Sequence, residues 1–349
     1  MFKNFKTNFQ DIHYSRQKAN LPLSFCLSSG EFFYKNIINL KNFFYKIGIL
    51  KEIKTGVNVI CVGNLTTGGV GKTPIVALLA QEISKEKKVA VISRGYGAKI
   101  SNKNPLVIKD FKGFKFNNGT MCGDEPFQLA KKVPNNVVVI TCADRKKAID
   151  YAIIKYGIET VILDDGFSNR KVYKDKTILA IDSKMRFGNN HLLPKGPLRE
   201  PISEIKRADE IILVDKADND IEKAISWAKG FNLPLKVCKM TPQRIDNLQS
   251  GAEVINKTKA IAFCAIGQPI QFFNFAKEFY ELVGMVAFAD HHKYDINDIK
   301  KLIKIAKDNN INTFITTQKD ETKLIELTKA FNNYSFNVLE LQNIISEIK

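Results

Sequence analysis

Residues Gly63 to Pro74 read Gly-Asn-Leu-Thr-Thr-Gly-Gly-Val-Gly-Lys-Thr-Pro and follow directly on the apolar run Val57 to Val62. A loop of this composition can cradle nucleotide phosphates. Its backbone N–H groups must turn inward, which calls for positive φ and for the absence of Cβ atoms, and Gly68, Gly69 and Gly71 suit that role. The cradle spans Thr66, Thr67, Gly68, Gly69, Val70, Gly71, Lys72 and Thr73. Lys72 is expected to reach the β- and γ-phosphates, and Thr73 to offer its hydroxyl to Mg²⁺ at a helix N-terminus that itself favours negative charge. Pro74 suits a first helical turn. The general pattern G-x-x-x-x-G-K-[ST] asks for glycine where Thr66 stands, so the loop is a variant form. A plain glycine-rich turn between strand and helix would leave Gly-Lys-Thr unexplained.

A phosphate loop needs an acid to hold its metal, and such folds supply it from the end of an apolar strand. Val161-Ile162-Leu163-Asp164-Asp165 has that form, and two adjacent acids are costly unless a cation neutralises them. Asp164 and Asp165 are therefore the candidate Mg²⁺ ligands, with the division between them open. Asp124, in Gly123-Asp124-Glu125-Pro126, reads by itself as a helix N-cap. His291 and His292 follow Asp290 at the end of an apolar run; without further His or Cys at ligand spacing they suit a general base or substrate contact better than zinc. The Gly/Pro-rich stretch Arg186 to Pro201 would be a surface connection by default, but Arg199 within it can clamp an anion.

The elements that must carry these residues alternate. After the loop comes an amphipathic helix with Ile75, Val76, Leu78, Leu79 and Ile83, then Val89 to Ile92 ending at Ser93-Arg94-Gly95-Tyr96-Gly97. Val137 to Thr141 precedes a helix over Arg145 to Tyr156, and the strands Val161 to Leu163 and Ile178 to Ile181 each end in acid. This βαβα order predicts an α/β fold, a P-loop NTPase-type parallel sheet with helices on both faces. Ligands of such sheets bind beyond the carboxyl ends of the strands, so Arg94, Asp164, Asp165 and Asp182 are expected to share a crevice with Lys72. The register changes near Met240-Thr241-Pro242. A smaller C-terminal α/β domain follows, with strands at Ala260 to Cys264, Val286 to Ala289 and Phe314 to Thr317 and a helix near Ile296 to Asn309. The expected division is an N-terminal arm (1–50), a P-loop domain (51–238) and the smaller domain (239–349).

With 349 residues, 44% of them hydrophobic and 26% charged, the chain has ordinary globular composition. Its net charge of +17 suits an anionic membrane surface or a phosphorylated substrate, though lysine is used freely on what would be solvated faces. No basic block with interleaved aromatics marks a nucleic-acid tract, and no obligate protein partner is evident. Six cysteines without Cys-x-x-Cys pairing read as reduced core residues. No cleavable signal peptide is expected. The arm is unusual: Phe33, Ile37, Leu40, Phe44 and Ile47 fall on one helical face between lysines, a pattern too charged to span a bilayer but suited to lie in an anionic interface. The same helix could instead pack on its own domain.

Taken in order, the phosphate loop from Val62, Ser93 to Gly97, Gly123 to Pro126, Asp164-Asp165-Gly166-Phe167, Phe187-Gly188-Asn189, Leu193 to Pro201 and Asp290-His291-His292 closely resemble the lipid A 4′-kinases, the tetraacyldisaccharide 4′-kinase family. The likeness extends from about Pro22 almost to the C-terminus and includes the non-glycine at Thr66. It implies transfer of the γ-phosphate of ATP, with Mg²⁺, to the 4′-hydroxyl of an acylated glucosamine disaccharide 1-phosphate, giving lipid IVA. It also implies a peripheral or monotopic place at the anionic cytoplasmic face of the inner membrane. By resemblance, Asp124 pairs with His291 to deprotonate the sugar hydroxyl, and domain closure brings the two together. Lys72 and Arg94 then stabilise the transferring phosphoryl group, Thr73, Asp164 and Asp165 organise Mg²⁺, and Arg199, Asn189 and Arg145 lie near substrate or phosphate. Ser168 departs from the family, which more often carries glutamine there; Asn169 is the nearest replacement. Residues 1–21 have no clear counterpart.

Three rival readings are weaker on the residues themselves. A partitioning or metallocentre-assembly ATPase would carry its signature lysine where Thr67 stands. A guanine-reading switch would need Asn-Lys-x-Asp, which Val214 to Asp218 misses at its first residue, and a purely structural membrane-surface protein would not need the phosphate loop. Oligomeric state and acyl-chain preference stay open.

Overall fold

The computed structural model describes residues 12–14, 21–95, 103–116, 121–215, 221–253, 258–266, 269–289 and 292–348. The chain divides into two compact units, one of residues 1–215, 219–238 and 345–349, the other of 216–218 and 239–344.

The first unit opens with helix α1 (Leu21–Lys46). Pro22 is tolerated in its first turn, and Gly48, at φ 80°, stops it in the left-handed conformation that a C-terminal cap requires. The strands β1 (Asn58–Gly63), β2 (Val89–Ser93), β3 (Leu106–Asp110), β4 (Gly113–Phe114), β5 (Val137–Thr141), β6 (Thr160–Asp164), β7 (Lys176–Asp182) and β8 (Glu210–Asp215) form a sheet in the order β8-β7-β1-β6-β2-β5-β3-β4. From β8 to β5 every pairing is parallel. The β3–β4 hairpin, unforeseen in the sequence, closes that edge antiparallel to β5.

Helices α2 (Lys72–Ile83), α3 (Asp124–Lys132) and α4 (Arg145–Tyr156) lie among these strands in sequence, and α5 (Ile221–Lys229) follows β8. Strand periodicity explains the two covered faces. In β1, Ile60 and Val62 point into one cluster with Ile75, Val76 and Ala80 of α2, whereas Val59 and Cys61 point into another with Ala148, Ile149 and Ala152 of α4. Lys109 of β3 is fully buried and donates to the carbonyls of Ala130 at 2.9 Å and Val133 at 2.7 Å, fixing the C-terminal end of α3 with a cation.

The second unit holds β10 (Lys259–Cys264), α6 (Pro269–Phe279), β11 (Glu281–Ala287), α7 (Ile296–Asp308), β12 (Thr313–Thr317) and α8 (Gln318–Thr328). Its strands lie in the order β11-β10-β12-β13 and pair in parallel, where β13 spans Ser335–Glu347. Ile261 and Phe263 pack towards α7 and α8, and Ala260, Ala262 and Cys264 towards α6. The change of register expected near Met240-Thr241-Pro242 falls inside one strand, β9, which runs from Leu235 to Asn247, and the two units divide within it, between Cys238 and Lys239. Of the free cysteines, Cys61, Cys122, Cys142, Cys238 and Cys264 are buried and Cys26 is exposed on α1.

Helix α1 turns its polar side inward. Leu27 is buried, Glu31 accepts from His191 Nδ1 at 3.0 Å and from the Leu192 N–H at 2.9 Å, Tyr34 donates to the Arg199 carbonyl at 2.8 Å, and Lys41 donates to the Ser168 carbonyl at 3.1 Å. Gly30 lets the helix approach Pro194, where a Cβ would stand 2.8 Å from the ring. The opposite face exposes Phe25, Phe32, Phe33, Ile37, Leu40, Phe43 and Ile47, with Phe33 67% and Ile37 66% exposed. Phe44, expected on that face, is only half-exposed. No helix among the described residues is long and apolar enough to cross a membrane.

Candidate active site

Strand β1 lies between β6 and β7, so the chain leaving Gly63 enters the crevice beyond the strands' carboxyl ends. A Cβ at Gly63 would stand 2.5 Å from Phe167 Cβ, and the missing side chain lets the two turns touch. Leu65 and Thr66 are buried; Thr66 bridges Leu198, and the Thr67 N–H donates to the Pro197 carbonyl at 2.7 Å. That amide is therefore held by the neighbouring loop, contrary to the picture of every N–H turned inward. Gly68 at φ 102° and Gly71 at φ 97° take the left-handed conformations the cradle needs. Gly69 does not; a Cβ there would meet no protein atom within 4 Å. Val70 is buried and anchors the loop.

Lys72 opens α2, capped by Gly71 without a side-chain bond, and Thr73 and Pro74 complete its start. Helix α2 has no acid in its first turn, so no carboxylate of the helix itself opposes an anion there. Lys72 Nζ donates to Asn64 Oδ1 at 3.0 Å and lies 3.5 Å from Asp165 Oδ1. Nothing in the sequence assigns a function to Asn64. Its buried amide donates to the Thr66 carbonyl at 2.7 Å, while its Oδ1 accepts from both Lys72 and Arg199. One neutral acceptor thus positions two cations.

Asp164 ends β6, and Asp165 follows at φ 54° with its N–H donating to the Val62 carbonyl at 2.9 Å. A Cβ at Gly166 would stand 2.9 Å from Cys61 Sγ, which explains the glycine of Asp-Asp-Gly-Phe. Arg199 grips Asp165 with two parallel hydrogen bonds. The carboxyls diverge accordingly. Burial pushes Asp164 up to about 6, with Lys72 opposing and Asp165 adding to the rise. Burial acts the same way on Asp165, but Arg199 and Lys72 outweigh it and hold that carboxyl below its usual range. Asp164 Oδ1 is buried and has no hydrogen-bond partner among the described residues, a condition that suits a ligand oxygen for a cation. Among the described residues no group of three or more His, Cys, Asp or Glu could hold a metal. An Asp pair with a threonine hydroxyl is nevertheless a hard oxygen set of the kind Mg²⁺ accepts, its other positions being filled by water and phosphate.

Beside this centre lies a cavity of about 520 Å³, lined by Lys41 and Tyr45 of α1 and by Arg94, Arg145, Lys146, Asp165, Ser168, Asn169, Arg170, Lys171 and Arg199 among others. Cations dominate its wall. Arg94 is exposed at its rim. Arg145 is buried, donates to the carbonyls of Cys142 at 2.6 Å and Asp164 at 3.4 Å, and has its ionisation opposed first by burial and favoured by Asp164 and Asp165. Ser168 Oγ has no partner among the described residues, and Asn169 Oδ1 accepts from the Lys171 N–H at 3.1 Å.

The remaining expected residues are not among the described residues that line this cavity. Asn189 is not among the cavity residues; its side chain binds the carbonyls of Ile12 at 3.2 Å and Lys195 at 3.0 Å and accepts from the His191 N–H at 3.1 Å. Asp182, expected in the crevice, accepts from the N–H groups of Lys184 and Met185 at 3.0 and 2.8 Å and shapes the turn after β7. Asp124 is the first residue of α3 rather than its cap, which is Gly123; its side chain lies outside the described atoms. Asp290 and His291 also lie outside the described residues. His292 is bound to Asp298 at 2.7 Å and stacked on Phe288, a structural arrangement at the start of α7.

A family model described as Tetraacyldisaccharide-1-P 4′-kinase matches residues 23–347. Curated relatives include the tetraacyldisaccharide 4′-kinase of Halothermothrix orenii, 31% identical over 337 residues that cover 91% of this chain and 87% of that one. The tetraacyldisaccharide 4′-kinase of Syntrophus aciditrophicus is 33% identical over 347 residues, covering 93% and 91%. Among solved structures, that of the "apo" form of LpxK from Aquifex aeolicus in complex with ATP matches with a TM-score of 0.68 at 31% identity, covering 93% of this chain and 95% of that one.

Proposed function

The chain belongs to the tetraacyldisaccharide-1-P 4′-kinase family, and from that premise we propose how its residues divide the work. It is a lipid kinase that transfers the γ-phosphate of ATP to the 4′-hydroxyl of tetraacyldisaccharide 1-phosphate, forming the 1,4′-bisphosphate lipid IVA in lipid A biosynthesis. The observation that carries the reading is the convergence of Lys72, Asp165 and Arg199 around Asn64, beside the phosphate loop. A partitioning-type ATPase would not need the cation-lined cavity that adjoins it.

Phosphoryl transfer is mostly positioning and electrostatic stabilisation. The phosphate loop from Thr66 to Thr73 holds the ATP phosphates, and Lys72 and Arg94 offset charge on the transferring group. Thr73, Asp164 and Asp165 are the donors that would hold Mg²⁺, which when bound neutralises charge on the β- and γ-phosphates. Arg199 holds Asp165 in place and, with Arg145, keeps the crevice attractive to phosphate. Asp124, with His291 as its partner, takes the proton of the acceptor hydroxyl. The family resemblance, not observed geometry, supports that last assignment.

An acylated acceptor presents its sugar at a lipid surface. The exposed aromatic face of α1 supports peripheral attachment to the anionic cytoplasmic face of the inner membrane, since burying such side chains in lipid is favourable by about 1.5–3 kcal/mol each when complete. The cavity beneath α1 is where the acceptor's own phosphate fits by charge. Incubation with labelled ATP and tetraacyldisaccharide 1-phosphate in detergent micelles tests the whole reading. Labelled lipid is expected; ATP hydrolysis without phosphorylated lipid would overturn it.

A further inference from the structure

Residues Ile12 to Tyr14 lie ahead of the family-model match, which begins at residue 23, yet they reach the heart of the nucleotide site. The Asn189 N–H donates to the His13 carbonyl at 2.9 Å and the Asn189 side chain to the Ile12 carbonyl at 3.2 Å. His13 Nε2 binds the Pro194 carbonyl at 2.9 Å, and Tyr14 Oη donates to the Thr67 carbonyl at 3.4 Å. The close approach is built in: a Cβ at Gly188 would stand 2.5 Å from the His13 carbonyl oxygen and 3.1 Å from the Tyr14 ring.

We propose that His13 and Tyr14 form a positioning strap that ties the phosphate loop to the loop carrying Arg199 and so sets nucleotide affinity; this rests on the kinase reading of the site. Two sides of the arrangement are fixed without the strap, by the Thr67 N–H on Pro197 and the Arg199 N–H on the Leu65 carbonyl at 2.7 Å each. The strap adds the third. Its leverage comes from the planarity of the peptide unit: the Thr67 carbonyl and the Gly68 N–H belong to one trans plane and point in opposite directions. Tyr14 holds the carbonyl from outside and thereby keeps the Gly68 N–H turned to the side where phosphate binds. The tyrosine contact is long and individually weak, so the effect belongs to the strap as a whole.

The test is direct binding of MgATP to the full-length protein, alongside KM for ATP and kcat at saturating ATP. His13→Ala, and Tyr14→Phe combined with His13→Ala, are each expected to weaken MgATP binding about three- to ten-fold, the equivalent of one ordinary hydrogen bond, with kcat at saturation and the melting temperature preserved. His13→Gln keeps a donor for Pro194 and is expected to restore most of the affinity. Three results overturn the strap: affinity within two-fold of the parent in both variants, loss of thermal stability without loss of affinity, or tighter binding, which would make the segment an obstruction. If the unaltered protein binds MgATP but phosphorylates no lipid, the kinase reading fails while the strap is still decided by the binding data.

Discussion

Arg199 and Asp165 form a two-pronged pair, with Nη1 to Oδ2 at 3.0 Å and Nη2 to Oδ1 at 2.8 Å. The residues are 34 positions apart, one in the Gly/Pro-rich loop and the other in the turn after β6, and their pairing fixes a carboxylate beside Lys72. Lysine at position 199 keeps the charge but not the fork. Arg199→Lys is therefore expected to lower kcat/KM about 10- to 100-fold, and Arg199→Ala about 100- to 1,000-fold. Steady-state kinetics with both substrates varied decide it; equal activity of the lysine variant would show that only charge matters.

Asn64 makes a sharper case because it carries no charge. Asn64→Asp leaves Lys72 and Arg199 their acceptor but adds an anion facing the nucleotide phosphates, whereas Asn64→Ala removes the oxygen the two cations share and leaves Asp165 to hold them alone. Both are expected to raise KM for ATP by about ten-fold or more, a loss of ~1.4 kcal/mol or greater. Unchanged KM in the alanine variant would remove Asn64 from the site.

The proposed proton acceptor is tested by Asp124→Asn and His291→Ala. Each should reduce kcat by about 100- to 10,000-fold, the range for loss of general-base catalysis, while MgATP affinity stays near that of the parent. Near-full turnover in either variant would exclude that residue from proton transfer.

The lipid-facing role proposed for α1 predicts a clean separation of effects. Phe33→Asp with Ile37→Asp alters two exposed side chains and should leave the melting temperature within a few degrees, yet sharply reduce co-sedimentation with vesicles containing anionic lipid. Tyr34→Phe, on the packed face, should do the reverse: it deprives the Arg199 carbonyl of its donor and lowers stability by about 1 kcal/mol. Undiminished vesicle binding by the double aspartate variant would dismiss the aromatic face as an anchor.

Glu210 gives a pH dependence with a definite sign. Burial at the start of β8 raises its carboxyl, but Lys176 at 2.7 Å and Lys236 at 3.0 Å outweigh that and hold it below the usual glutamate range. A folded-state value below the unfolded one means that its contribution is present above about pH 4.3 and disappears as pH falls through the folded value. Urea denaturation of the parent and Glu210→Gln should therefore differ by about 1 kcal/mol at pH 7, the lysines being partly solvated, and converge on acidification below pH 4. A gap that stays constant across this range would refute the ion-pair origin.

Much of the chemistry was legible locally. Glycines that must adopt positive φ, a lysine and threonine at a helix start, and acids at the ends of apolar strands are dictated by neighbours in sequence, so the phosphate loop and β6 with Asp164 and Asp165 could be read directly. The helix over Arg145 to Tyr156 likewise follows from residues one turn apart, including the Asp144 cap. Gly69 departs from the expected positive φ because glycine permits both signs, and the surrounding loop selects the other one.

What the sequence by itself determined is therefore the alternating α/β order, the glycine-rich turn between β1 and α2 and, through its ordered motifs, the kinase family. Tertiary structure decided how side chains from distant segments are aimed. Helix α1 shows why: its periodicity defines an apolar face but cannot say whether that face meets protein or surroundings, and the complementarity of Glu31, Tyr34 and Lys41 to particular loop groups turns it outward. Asn64 was silent for the same reason. Its role exists only because folding brings Lys72 and Arg199 to one oxygen atom, and hydrogen bonds between residues so far apart in sequence leave no periodic or compositional trace.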